Sequence, residues 1–181
     1  MRPDRLRHLG PVCGLAALGL AAAVSHAAPV TVASRDGHYI LANGIVTAKV
    51  DQHTGDLVSL RYRGLELLGH DSGYPTGHWE QDTAAAARIL DRVTIDPRRN
   101  GGERAEVSVK GISDGRTLGA DAPGGGTCCN IELRYALGRA DNGVYIYAIY
   151  THPASYPADQ IGESRFCAKL NPEVFDWMTI N

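Results

Sequence analysis

Apolar and polar residues alternate with a period of two along most of the chain beyond residue 38, and such a pattern predicts strands. Successive side chains of a strand point to opposite faces, so an alternating run buries one face and wets the other. His38 to Val50 reads as strand, turn, strand, with Ile45, Thr47 and Lys49 alternating with Val46, Ala48 and Val50. Asn43-Gly44 is the predicted turn, because both residue types tolerate positive φ at the two central positions of a tight hairpin. Asp51 to Asp56 is a polar loop whose aspartates are expected to cap the turn rather than bind calcium. Leu57 to Tyr62 is the next strand, Arg63-Gly64 a turn, and Leu65 to Leu68 a short strand.

Gly69 to Ala87 reads as irregular, with room for one helical turn at Ala84 to Ala87. Arg88 to Ile95 is read as a strand, Arg98 to Arg104 as a turn, and Ala105 to Lys110 as a strand. Gly111 to Gly126 is a loop, and its Gly124-Gly125-Gly126 run lacks the Lys-Ser/Thr of a phosphate loop. Asn130 to Leu137 follows, with Ile131, Leu133 and Tyr135 on one face. Asp141-Asn142-Gly143 turns into Val144 to Tyr150, which is almost wholly β-branched or aromatic. Ser164 to Leu170 alternates again, with Ser164, Phe166, Ala168 and Leu170 opposite Glu163, Arg165, Cys167 and Lys169. Short strands joined by turns predict an all-β fold, an antiparallel meander.

The N-terminus breaks this pattern. Arg2, Arg5 and Arg7 precede an apolar run from Leu9 to Val24, and Ser25-His26-Ala27 follows. A basic start, a short apolar run and a small-residue end predict a secretory signal peptide over residues 1–27. The run is short for a bilayer span, so no membrane association is expected after cleavage. Residues 28–181 then form one domain, secreted or periplasmic. The net charge of −2 points away from nucleic acid.

Export permits disulfides, and Cys128, Cys129 and Cys167 remain after processing. Either one of the adjacent pair bridges to Cys167, or all three are free thiols. His53, His70, His78 and His152 are not spaced as a metal motif, so neither metal nor cofactor is expected. Two features offer contacts to a ligand. Tyr74, His78 and Trp79 lie in a glycine-rich stretch where rings can stack on a sugar, although Trp79 can equally cap the sandwich edge. Arg165 and Lys169 share a strand face that can meet an anion, although Arg165 can equally pair with its same-face neighbour Glu163.

Three blocks carry a family likeness. Gly143-Val-Tyr-Ile-Tyr-Ala-Ile-Tyr150, Gly162-Glu-Ser-Arg165-Phe-Cys-Ala-Lys-Leu170 and Phe175-Asp-Trp-Met178 resemble, in residues and spacing, the N-terminal catalytic-domain region of rhamnogalacturonan lyases of polysaccharide lyase family 4. Asn43-Gly44-x-Val46 and the Thr54-Gly55 to Leu67 segment also resemble the opening of galactose-mutarotase-like β-sandwiches, a supersandwich fold that binds sugars. The resemblance implies β-elimination at the rhamnose–galacturonate bond of the pectic polysaccharide rhamnogalacturonan I. It assigns Arg165, in the Gly-Glu-x-Arg segment, to substrate binding.

The family's lysine base and histidine acid lie further along than the Phe-Asp-Trp segment, which places them beyond Asn181, the last residue of this sequence. The expectation is therefore an N-terminal piece of a longer lyase, inactive alone, with no catalytic residue of its own. A sandwich cut in this way would leave Phe175, Trp177 and Ile180 near a raw edge, and marginal stability is expected. The alternative is a non-catalytic carbohydrate-binding sandwich using Trp79, Tyr74 and Arg165. Nothing in the sequence determines an oligomeric state, or whether the natural protein ends at Asn181.

Overall fold

In the computed structural model, residues 27–70, 76–81, 86–115, 128–158, 161 and 163–179 are described. The alternating runs become strands β1 (Thr31–Arg35), β2 (His38–Ala42), β3 (Val46–Asp51), β4 (Leu57–Tyr62) and β5 (Leu65–Glu66). They are followed by β6 (Gly77–Gln81), β7 (Arg88–Ile95), β8 (Arg104–Ile112), β9 (Asn130–Gly138), β10 (Tyr145–Thr151) and β11 (Ser164–Ala168). A 3-10 turn, Pro97–Arg99, is capped by Asp96, whose side chain accepts from the backbone N–H of Arg98. Strand orders are β1-β2-β3-β4-β5, β10-β9-β8-β7 and β11-β6. The pairings among these strands are antiparallel, and the fold is the predicted all-β sandwich.

One core joins the two larger sheets. Leu41, Val46, Ala48, Val50 and Leu57 from the first meet Val107, Val109, Leu133, Tyr135 and Leu137 from the second. The face predicted for Ile131, Leu133 and Tyr135 is the buried one. Polar ties cross between the layers as well. The Tyr135 hydroxyl donates to the Gly55 carbonyl at 2.6 Å, and the Tyr39 hydroxyl donates to Asp91 at 2.7 Å. Burial pushes the Tyr135 phenol well above its ordinary range, so it stays a donor. Gly55 has φ +80°, and a Cβ there would come within 2.8 Å of Leu133 Cδ1, so this turn requires glycine.

Several expectations need correcting. The β2–β3 turn is centred one residue later than Asn43-Gly44, because Asn43 N–H donates to the Val46 carbonyl and Ala42 pairs with Thr47. Gly44 alone has positive φ, +83°, while Asn43 works through its side chain. A strand, β1, precedes β2 across an Asp36-Gly37 turn with φ of 51° and 73°. The stretch read as irregular contains β6, which finds its partner only in β11. Of the two expectations for the cysteines the unbridged one holds, with Cys128 and Cys129 buried thiols and Cys167 a half-buried one. Asp51 does cap its loop, accepting from the N–H groups of His53 and Thr54 at 2.7 and 2.8 Å. Several expectations fall outside the described residues: the signal segment up to residue 26, residues 84–85 of the candidate helical turn, most of the 111–126 loop, and the last two residues, Ile180 and Asn181.

Candidate functional site

The β6–β11 ribbon carries two of the predicted site residues, Arg165 on β11 and Trp79 on β6. Its register sets Arg165 opposite Glu80, Phe166 opposite Trp79 and Cys167 opposite His78. Direct partners in an antiparallel ladder share a face, so the ribbon has one apolar and one polar side. On the apolar side Trp79 and Phe166 meet edge to face, with centroids 5.9 Å apart, and both pack against the core. On the polar side lie His78, Glu80, Arg165 and Cys167.

The ribbon is anchored to the first sheet. Leu68 bridges to Leu170, Gly69 N–H donates to the Lys169 carbonyl at 2.9 Å, and Lys169 N–H donates to the Thr76 carbonyl at 2.7 Å. The Thr76 hydroxyl donates to the Leu57 carbonyl at 3.2 Å. Gly77 then passes so close to Leu57 that a Cβ would stand 2.8 Å from that carbonyl oxygen. These contacts fix the ribbon's orientation, and with it the polar side.

Arg165 is more than half exposed and holds two carboxylates. Its Nε donates to Glu80 Oε2 at 2.7 Å, Nη2 reaches the same oxygen, and Nη1 lies 2.8 Å from Glu163 Oε1. Hydrogen bonding from Arg165 holds the Glu80 carboxyl below the usual range, and Glu80 in turn raises the guanidinium. The Cys167 thiol also donates to Glu80 Oε2, at 3.3 Å. The surface pair expected for Arg165 is thus present together with a second pair, to Glu80, that the local sequence does not show.

The remaining expected residues fall elsewhere. Trp79 is on the side of β6 opposite Arg165, because adjacent strand residues such as Trp79 and Glu80 face apart, so the structure does not unite it with the arginine. Tyr74 and Gly162 lie outside the described residues. Lys169 sits just past β11, with its backbone committed to Thr76 and Gly69. Sequence reasoning missed a groove of about 470 Å³ on the outer face of the first sheet, lined by His38, Thr47, Lys49, Ser59, Arg61 and His70 among others. The signal for it was the outward set Thr47 and Lys49 opposite Ser59 and Arg61, legible only once β3 and β4 are paired.

Among the described residues no helix is long and apolar enough to cross a membrane. No curated protein matches the chain. The family model described as the rhamnogalacturonate lyase family matches residues 16–181, a span that includes every strand described above and the whole β6–β11 ribbon. On that match, over most of its length, the chain belongs to the rhamnogalacturonate lyase family.

Proposed function

We propose that the chain is exported and contributes the uronate-binding face of a lyase that cleaves the rhamnose–galacturonate bond of rhamnogalacturonan I by β-elimination. The observation that carries this reading is Arg165, an exposed guanidinium already gripping carboxylates on two of its edges. A galacturonate carboxylate is the same ligand, and the planar fork of arginine accepts it bidentately while staying charged. Pairing the carboxylate withdraws its negative charge, so the C5 proton beside it becomes more acidic and the enolate-like charge is stabilised as that proton leaves. The electron pair then forms the C4–C5 double bond and expels the rhamnose oxygen. By resemblance a lysine takes the proton and a histidine protonates the leaving oxygen. Neither role is proposed for a residue of this chain, Lys169 included.

The test uses rhamnogalacturonan I and two readouts. A lyase makes an unsaturated uronate that absorbs ultraviolet light, whereas a binding module depletes onto the polysaccharide without product. Arg165→Ala is expected to lower binding roughly tenfold or more, the loss typical of a charge-assisted pair. Unchanged binding in that variant would remove Arg165 from the site. Binding without product would favour either the carbohydrate-binding alternative or a lyase piece that binds without the proton-transfer residues.

A further inference from the structure

We propose that His78, Glu80 and Cys167 form a site for one thiophilic divalent cation of the zinc class on the polar side of the β6–β11 ribbon. The donor atoms of these three side chains all lie within 4.8 Å of one another. Two features of the fold create the cluster. His78 and Glu80 stand two apart on β6 and so share a face, and the register sets Cys167 directly opposite His78. The Cys167 sulfur is 3.3 Å from Glu80 Oε2, so thiol and carboxylate already meet on this side of the ribbon.

A separate observation points to a ligand. Nδ1 of His78 is buried without a hydrogen-bond partner, although buried imidazole nitrogens ordinarily have one. A cation coordinated through Nδ1 would supply what that nitrogen lacks. The donor set of thiolate, imidazole and carboxylate selects zinc-like ions over magnesium or calcium, which take oxygen ligands. Three protein ligands leave a fourth tetrahedral position for water.

The neighbouring arginine does not block this site. Arg165 and the thiol both engage Oε2 of Glu80, which leaves Oε1 for the cation. On binding, the Cys167 S–H bond breaks, its proton passes to solvent, and the sulfur electron pair forms the bond to the metal. The thiolate with Glu80 and Glu163 then carries three negative charges, which the dication and Arg165 together neutralise.

The test is a titration of the reduced, intact chain with Co²⁺ and then Zn²⁺, with no polysaccharide present, so its outcome is separate from that of the lyase reading. One equivalent of Co²⁺ should produce tetrahedral visible absorption and a thiolate charge-transfer band in the near ultraviolet, and one equivalent of Zn²⁺ should abolish both. Cys167→Ser should remove the charge-transfer band, while Cys128→Ser and Cys129→Ser retain it. His78→Ala and Glu80→Gln should each weaken binding by about tenfold or more. Arg165→Ala, which takes away a cation beside the site, should tighten it. A band that survives Cys167→Ser, or the absence of saturable binding by the unaltered chain, would overturn the proposal. Circular dichroism of each variant identifies any that has lost its fold, and the unaltered chain decides the matter without them.

Discussion

Arg165 faces Glu80 directly across the β11–β6 ladder, and the guanidinium reaches Glu163 on its other edge at 2.8 Å. A polysaccharide carboxylate that enters this site must displace one of two resident anions. Glu80→Gln is therefore expected to tighten binding of rhamnogalacturonan I by roughly two- to fivefold, the scale of an exposed ion pair. Added salt should narrow the difference, because exposed charges are screened. Depletion assays at two ionic strengths check this, and weaker binding in Glu80→Gln would count against competition. Arg165→Lys should bind more weakly than the parent, because an ammonium cannot present the same fork.

Trp79 provides a contrasting expectation. Its ring packs edge to face on Phe166 and against the core. Trp79→Ala should lose about 2–3 kcal/mol of stability, less than a fully buried ring would cost. Trp79→Phe should keep both the fold and the affinity for polysaccharide. Thermal melts and depletion assays measure the two, and a loss of affinity in Trp79→Phe at unchanged stability would return the ring to the site.

Asn43 joins the hairpin ends of the two large sheets. Its Nδ2 donates to the carbonyls of Gly138 and Asp141, both at 2.9 Å, and its Oδ1 accepts from the N–H groups of Ile45 and Val46. The side chain is almost wholly buried, so removing it strands buried groups on both sheets. Asn43→Ala should cost about 3 kcal/mol, or roughly 6–12 °C in melting temperature. Asn43→Asp should be worse, because an anion would face two carbonyl oxygens. A melting temperature unchanged by Asn43→Ala would refute the account.

Stability should fall as the pH is lowered through the carboxylate range. Burial pushes Glu106 and Glu132 up, but their hydrogen bonds outweigh it and hold both below the usual value. Glu106 accepts from Thr94, Tyr147 and Arg134, and Glu132 accepts from Ser108 and Arg134. With the folded values depressed, the unfolded chain binds more protons in that window, so stability rises with pH there. The contribution is present above the unfolded values and is lost as pH falls through the folded ones. Asp56 works in the opposite sense, since burial raises it and its share is lost as pH rises. Calorimetry from about pH 7 to about pH 3 measures the net slope, and Glu106→Gln should flatten it.

Much of the fold was legible locally. The inward Ile131, Leu133 and Tyr135 follow from alternation alone, because strand geometry sets the three on one face. The Arg63-Gly64 turn was equally readable, and both residues take positive φ, 50° and 85°. The region around Trp79 was not. Gly77 to Gln81 carries little apolar alternation, and its strand character depends on pairing with residues more than eighty positions away.

By itself, the sequence determined the all-β class, most strands and turns, and the inward face of β9, since a period of two and turn chemistry are properties of neighbouring residues. It also carried the family likeness around Arg165, which the family match supports. Only the tertiary structure decided that β6 pairs with β11, and in which register. A shift of one residue would turn Trp79 outward and Glu80 inward. That register is set by the anchoring of Gly77 against Leu57 and of Lys169 between Gly69 and Thr76, contacts between distant segments that no local pattern encodes.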